Sequence, residues 1–127
     1  MRDLISLTRQ SPYPLSAFIF VQRGLDYTVK KVHGEPDKKA KPESRHVSGQ
    51  QLCLGLREYA IQEYGLLART VLRRWKILSC QDFGRIVFMM VDAGLMHKTE
   101  EDSLEDFMGH YDFDQAFAPE LSLAENV

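Results

Sequence analysis

Hydrophobic residues recur at helical spacing through the middle of the chain, between Ser48 and Met96. Apolar positions three or four residues apart form a stripe along one side of an α-helix, so this pattern indicates amphipathic helices. The stretch also contains two serine-led start patterns and two glycine stop positions, which divide it into three parts. We therefore predict three short helices that pack together.

The first two of these helices are separated by a single glycine. The first begins at Ser48, where Ser-x-x-Gln matches a capping box, and ends at Gly65, a residue suited to the left-handed conformation that terminates helices. The second covers about 66–75. Its apolar positions predict that Leu67 and Leu72 point inward, together with Val71 and Trp75.

The third helix of the central stretch begins after Ser79, whose Ser-x-x-Asp sequence repeats the start pattern, and ends near Gly94. Residues 83–91 are apolar on nearly every side of this helix. We therefore expect it to be the most buried helix, or to show one apolar side to a partner.

A further amphipathic helix is predicted upstream, between Pro14 and Val32. Proline is tolerated in the first turn of a helix, and the apolar residues after it return every three or four positions. Residues 1–11 show no such pattern, so we expect a loosely ordered N-terminus. Residues 34–47 are rich in proline and in charges of both signs, which predicts a polar loop.

Two interpretations remain for the stretch after Gly94. Short apolar pieces on either side of the polar sequence TEEDS favour a strand, a turn and a second strand, whereas a helix from Ser103 to about Met108 is the alternative. Residues 118–127 are expected to form a frayed end. The chain as a whole is thus predicted to be a mainly α-helical single small domain of about four helices over 12–117, with a short C-terminal β-hairpin as a further element.

Composition agrees with one small domain. The chain has 127 residues, of which 44% are hydrophobic, and this supplies enough apolar side chains for a single core. It has no apolar run long enough for a membrane span and no secretory leader pattern, so a cytoplasmic location is expected. Cys53 and Cys80 both lie within apolar helical patterns, which favours reduced core thiols over a disulfide or a metal site.

Charge is distributed unevenly along the chain. Residues 1–98 contain all 16 Lys and Arg and 9 Asp and Glu, whereas residues 99–127 contain the other 9 acids and no base. A basic body with an acidic tail is typical of proteins that contact an acidic partner or their own tail. We expect the basic face to lie on the helices over 66–75 and 80–94, and to be formed by Arg69, Arg73, Arg74 and Arg85.

The tail itself alternates aromatic and acidic residues. Tyr111, Phe113 and Phe117 are interleaved with Asp112 and Asp114 in the sequence YDFDQAF. Such a segment can insert its rings into a groove while its carboxylates meet Lys or Arg. Docking on this chain's own body is favoured over docking on a partner, because tethering raises the effective concentration. The predicted function is a non-enzymatic protein-interaction or adaptor module.

The alternative function is nucleic-acid binding. The order of elements over 48–113 is similar to that of winged helix-turn-helix domains, in which the helix after the turn enters the major groove. Here that helix offers Arg85 and few other polar residues. The wing position carries acids that would repel phosphates, which are Glu100, Glu101, Asp102, Glu105 and Asp106. Nucleic-acid binding regulated by this acidic segment is therefore the less favoured hypothesis.

Enzymatic chemistry finds little support in the sequence. The chain contains no phosphate-binding glycine loop, no H-E-x-x-H, no G-x-S-x-G and no paired C-x-x-C, so we predict no cofactor and favour a non-enzyme. His110, Asp112 and Asp114 would share one side of an extended segment and could hold a divalent ion. A solvated acidic edge explains the same spacing, and no metal site is predicted. Cys80 begins a helix, where a thiol can become reactive, but a passive core thiol is favoured.

Three pieces of the sequence carry a resemblance to a known family. These are HVSGQQLCLGLREYAIQEYGLLARTVL, QDFGRIVFMMVDAGLMHKTEEDSLEDF and YDFDQAF. The chain resembles an uncharacterised family of small bacterial conserved hypothetical proteins, the Minf type, from about Tyr13 to Phe117. No activity, cofactor or partner is assigned to that family, so the resemblance implies a domain boundary and no chemistry.

Overall fold

The protein is built from helices joined by short connections. The computed structural model describes residues 3–34, 47–96, 107, 111 and 113–117. Six α-helices occur in these parts of the chain, namely α1 (Leu4–Arg9), α2 (Leu15–His33), α3 (Gly49–Tyr64), α4 (Ala68–Arg74), α5 (Cys80–Asp92) and α6 (Phe113–Ala116). A 3₁₀ turn, Gly65–Leu67, joins α3 to α4. The prediction of a mainly helical fold is confirmed.

The helix starts follow the local start patterns of the sequence. At α3, the Ser48 hydroxyl accepts a hydrogen bond from the Gln51 N–H (3.1 Å), and the Gln51 side chain accepts one from the Ser48 N–H (2.8 Å). At α5, the Asp82 carboxylate accepts hydrogen bonds from the N–H groups of Leu78 and Ser79. These bonds satisfy backbone donors that a helix leaves unpaired in its first turn, and thereby fix where each helix begins.

The helices end where the backbone turns into the left-handed region. Gly65 and Gly94, the two predicted stop positions, have φ values of 52° and 78°. Lys76 adopts a φ of 67° directly after α4, and the next N–H, that of Ile77, bonds back to the Leu72 carbonyl at 2.9 Å. This closure reverses the chain and places Ile77 in the core.

The helices α2 and α3 make the most extensive helix pair, and α5 packs across both of them and against α1. Close approach of α2 and α3 depends on Gly55. A Cβ atom placed there would lie 1.9 Å from the Thr28 hydroxyl oxygen, which itself donates to the Gly24 carbonyl inside α2 at 2.7 Å. The core between the helices is apolar, and its fully enclosed large side chains include Phe18, Val21, Leu56, Leu72, Ile77, Phe83, Ile86 and Met90.

The 3₁₀ turn before α4 changes which residues point inward. Leu67, predicted to be buried, is 62% exposed, while Ala68 and Leu72 are buried. A 3₁₀ turn has about three residues per turn instead of 3.6, so it rotates the apolar stripe of the following helix relative to α3. Val71 and Trp75, also predicted inward, are half-buried.

The N-terminus differs from the sequence-based expectation. Residues 1–11 were expected to be loosely ordered, yet residues 4–9 form α1, which the Asp3 side chain caps by accepting from the Ser6 N–H at 2.8 Å. One side chain, that of Leu7, is buried in the core and holds the helix in place. A helix of 6 residues is too short for its periodicity to be recognised in the sequence.

The predicted C-terminal hairpin is not shown. Most of it falls on residues 97–106 and 108–110, which lie outside the described residues, as do most of the polar loop (35–46) and the predicted frayed end (118–127). The described residues near it contain no strand, and residues 113–116 form α6 instead. Each helix in the described part of the chain is too short or too polar to cross a membrane.

Candidate functional site

Three aromatic side chains near the C-terminus form one cluster. We call Tyr111, Phe113 and Phe117 the aromatic triplet. The rings of Tyr111 and Phe113 stack with centroids 5.6 Å apart, and the Phe117 ring meets both edge-on at 6.3 and 5.2 Å. Both phenylalanines are buried, so the triplet packs as a unit whose apolar surface is largely removed from water.

The aromatic triplet and α6 lie against the body of the protein. The Phe113 ring packs on the Phe83 ring of α5 at 5.6 Å. On α3, the Arg57 side chain donates to the Ala116 carbonyl at 3.1 Å, and the Tyr111 hydroxyl donates to the Cys53 carbonyl at 2.7 Å. These contacts join positions about sixty residues apart in sequence, so the C-terminal segment is part of the folded domain.

The four predicted arginines occupy different environments. Arg69 on α4 is half-buried, and its guanidinium lies 5.6 Å from the centre of the Phe113 ring, a distance at which a cation is attracted to an aromatic face. In contrast, Arg73 and Arg74 are exposed in the last turn of α4, where positive charge complements the helix dipole. Neither of these two residues pairs with a carboxylate in the part of the chain that the structure describes.

The fourth arginine, Arg85, is committed to a structural cluster on α5. It donates to the Asp82 carboxylate at 2.9 Å, and the buried Tyr13 hydroxyl donates to the same oxygen. Burial, together with this bond to Asp82, raises the pKa of Tyr13 to about 12. The Asp82 carboxylate thus offsets part of the charge of Arg85. No contact among the described residues joins Arg85 to Arg73 or Arg74.

Exposed leucines accompany the exposed arginines, a feature that the sequence-based prediction missed. Leu66 and Leu67 are 61% and 62% exposed, the highest values among the large apolar side chains in the described residues. We call Leu66, Leu67, Arg73 and Arg74 the α4 surface. The two leucines lie in the 3₁₀ turn and the two arginines in the last turn of α4, so residues 66–74 expose apolar side chains at one end and basic side chains at the other.

The α4 surface is supported by aromatic packing beneath it. The Tyr64 and Trp75 rings, which flank the 3₁₀ turn and α4 in sequence, contact each other edge-on at 5.9 Å. Both also contact the Phe20 ring of α2, at 6.4 and 5.5 Å. This packing fixes both ends of the 65–75 stretch, so the exposed side chains project from a rigid support.

The remaining sequence-based candidates do not assemble into a catalytic or metal site. His110 and Asp112 lie outside the described residues, and Asp114 is placed only through its backbone in α6. No three His, Cys, Asp or Glu side chains converge on one point in the regions that the structure describes. Cys53 and Cys80 are both thiols buried in the core.

Comparison with protein-family models, with curated proteins and with solved structures finds no match to this chain.

Proposed function

We propose that the protein is a non-enzymatic interaction module whose α4 surface binds an acidic, amphipathic segment of a partner protein. The observation that carries this proposal is the exposure of Leu66 and Leu67 in the 3₁₀ turn that leads into α4, the helix that exposes Arg73 and Arg74. A partner segment that presents apolar residues beside Asp or Glu complements both halves of this surface.

The apolar half supplies most of the binding free energy in this proposal. Fully burying one leucine side chain is favourable by about 1.5 to 3 kcal/mol, and two exposed leucines side by side form an anchor for an apolar partner side chain. The arginine half supplies orientation and speed of association, because exposed ion pairs are individually weak and are screened by salt. Binding should therefore weaken with added salt without disappearing.

The chain's own acidic tail is the other ligand to consider for the predicted basic face. The contacts of the C-terminal segment with basic side chains involve Arg57 and Arg69, whereas Arg73 and Arg74 remain exposed. The contacts of Arg57 and Arg69 go to the Ala116 carbonyl and to the Phe113 ring, so they hold the aromatic triplet and α6 on the body without an ion pair. The exposed side chains of Arg73 and Arg74 are the ones that the proposal assigns to a partner.

The test is fluorescence anisotropy with a labelled synthetic peptide in which leucines and glutamates alternate at helical spacing. The variant R73E/R74E should bind the peptide more weakly than the native chain, because the reversed charges repel its glutamates, and the same peptide with Gln in place of Glu should bind the two proteins about equally. A matched control is R9E/K30E, because Arg9 and Lys30 are also exposed in the last turns of helices, α1 and α2. Equal loss of affinity in both variants would show that only net charge matters and would refute the proposal.

The alternative proposal, a winged-helix-like nucleic-acid-binding protein regulated by its acidic segment, rests on the order of elements in the sequence. In that alternative, residues 97–110 would include the hairpin. A labelled DNA duplex in the same assay distinguishes the two functions. Salt-dependent duplex binding by the native chain, or binding gained when Glu100, Glu101, Asp102, Glu105 and Asp106 become amides, would favour nucleic acid. Absence of duplex binding in both forms would leave the protein partner.

A further inference from the structure

Lys76, the residue at which the chain reverses after α4, has a backbone conformation that favours glycine. Its φ of 67° lies in the left-handed region, where a Cβ atom crowds the following carbonyl oxygen. The turn requires this conformation, because the Ile77 N–H donates to the Leu72 carbonyl at 2.9 Å and thereby closes α4. The other described residues with positive φ are all glycines, namely Gly34, Gly65 and Gly94. A lysine therefore stands where glycine would give a more stable fold.

The charge of Lys76 adds a second unfavourable feature at the end of α4. Arg73 and Arg74 occupy the last turn of this helix, and the side chains of all three basic residues are exposed. Positive charge at a helix C-terminus complements the helix dipole, but the two arginines already supply that charge. Like charges so close together repel one another. None of the three pairs with a carboxylate among the described residues, so no ion pair there relieves the repulsion.

We propose that Lys76 is a binding residue for the acidic partner segment, and that its ammonium group and the guanidinium groups of Arg73 and Arg74 together receive the carboxylates of that segment. Carboxylates near three exposed cations replace their mutual repulsion by attraction, so the complex gains what the free protein lacks. A residue that lowers stability is typical of a functional site, where binding favours its retention over a more stable alternative. This inference rests on the proposed function and adds a third cation to the α4 surface.

Urea denaturation of the full chain tests whether Lys76 lowers the stability of the fold. The variant K76G should have a higher urea midpoint than the native chain and an unfolding equilibrium constant about two- to fivefold smaller, because glycine adopts a positive φ without strain. The matched control is K30G, since Lys30 is an exposed lysine within α2, where glycine should lower the midpoint. A K76G chain that is no more stable than the native chain would overturn the proposal.

Fluorescence anisotropy with the labelled leucine–glutamate peptide tests whether Lys76 binds the partner segment. K76G and K76Q should both bind the peptide about two- to fivefold more weakly than the native chain, as expected for the loss of one exposed ion pair. K76R keeps the positive charge and should bind like the native chain. K30Q removes the charge of an exposed lysine on α2 and should also leave the affinity unchanged.

The same binding assay separates the role of Lys76 from that of the two arginines. Native affinity in K76Q, together with weakened binding by R73E/R74E, would overturn the role of Lys76 and leave the proposed function of the α4 surface standing. A native chain that does not bind the peptide would overturn both. Equal loss of affinity in K76Q and K30Q would show that only net charge matters, and this result too would overturn the proposal.

Discussion

The Asp82 carboxylate accepts hydrogen bonds from four donors, so its removal should destabilise the fold. It accepts hydrogen bonds from the Leu78 and Ser79 N–H groups at the start of α5, from the buried Tyr13 hydroxyl and from the Arg85 guanidinium. It thereby joins the chain before α2 to α5. The substitution D82A removes all four acceptor contacts at once and leaves the Tyr13 hydroxyl without this partner in the core.

The loss in the free energy of unfolding of D82A depends on which of these hydrogen-bond donors water can reach. Leu78, Ser79 and Arg85 are exposed, so their donors can bind water once the carboxylate is gone. Tyr13 is only 3% exposed, and an unsatisfied buried donor costs about 1 to 3 kcal/mol. Loss of the capping bonds adds about 1 kcal/mol. We expect D82A to lower the free energy of unfolding by about 3 kcal/mol, a large part of the 5 to 15 kcal/mol typical of small domains.

The assay is urea denaturation followed by far-UV circular dichroism, applied to D82A, Y13F and the double variant. Y13F alone should cost about 1 kcal/mol, because it removes one hydrogen bond but leaves no buried hydroxyl. The double variant should be no less stable than D82A, since the hydroxyl that D82A strands is absent from it. Costs that simply add, or a loss below about 1 kcal/mol in D82A, would contradict this assignment of the Asp82 contacts.

Three further predictions concern packing and titration. G55A should destabilise the protein by about 1 to 3 kcal/mol in urea denaturation, because the new methyl meets Thr28. G24A should lower the free energy of unfolding by less than G55A, since its methyl meets the flexible end of the Leu56 side chain. Equal losses in the two variants would contradict the conclusion that the approach of α2 and α3 depends on Gly55. F113A should cost about 3 to 5 kcal/mol, whereas R73A should stay within about 0.5 kcal/mol of the native chain. Finally, the raised pKa values of Cys53, Tyr13 and Tyr111 mean that the folded state holds these protons longer than the unfolded state. The contribution of these three groups to stability should therefore be complete below about pH 8 and be lost as pH rises through the ordinary pKa values of 9.0 for the thiol and 10.0 for the phenols. A pH-independent free energy of unfolding between about pH 8 and 11 would contradict this prediction.

The helix boundaries could be predicted because they depend on neighbouring residues. The Ser48 and Ser79 start patterns and the Gly65 and Gly94 stop positions each act over three or four residues, and the structure uses all four. The mainly helical fold follows from these signals and from the apolar spacing between them.

The exposed part of the candidate site could not be predicted, because it depends on a change of helical pitch. Leu67 falls on the inner stripe if 66–75 is treated as one α-helix, but the 3₁₀ turn rotates it outward. Nothing in the sequence of that turn marks it apart from an ordinary α-helical start. The four arginines predicted to form one basic face also have different surroundings. Arg85 forms an ion pair with Asp82, one turn earlier on the same helix, and Arg69 lies against the Phe113 ring.

Contacts between residues far apart in the sequence could not be predicted either. The bonds from Arg57 to the Ala116 carbonyl and from the Tyr111 hydroxyl to the Cys53 carbonyl join residues that no local pattern relates. Burial of both cysteines was foreseen from their apolar surroundings, but the position of Tyr111 between α3 and α5 required the three-dimensional fold.

The most direct test of the proposed function is an NMR titration of the ¹⁵N-labelled chain with the leucine–glutamate peptide. Binding at the α4 surface predicts that the largest shifts of amide signals occur over residues 64–78, and that R73E/R74E needs a higher peptide concentration to reach them whereas R9E/K30E does not. Shifts centred on Tyr111 and Phe113, or spread evenly over the basic residues of the chain, would contradict the proposal and assign the binding to the aromatic triplet or to net charge.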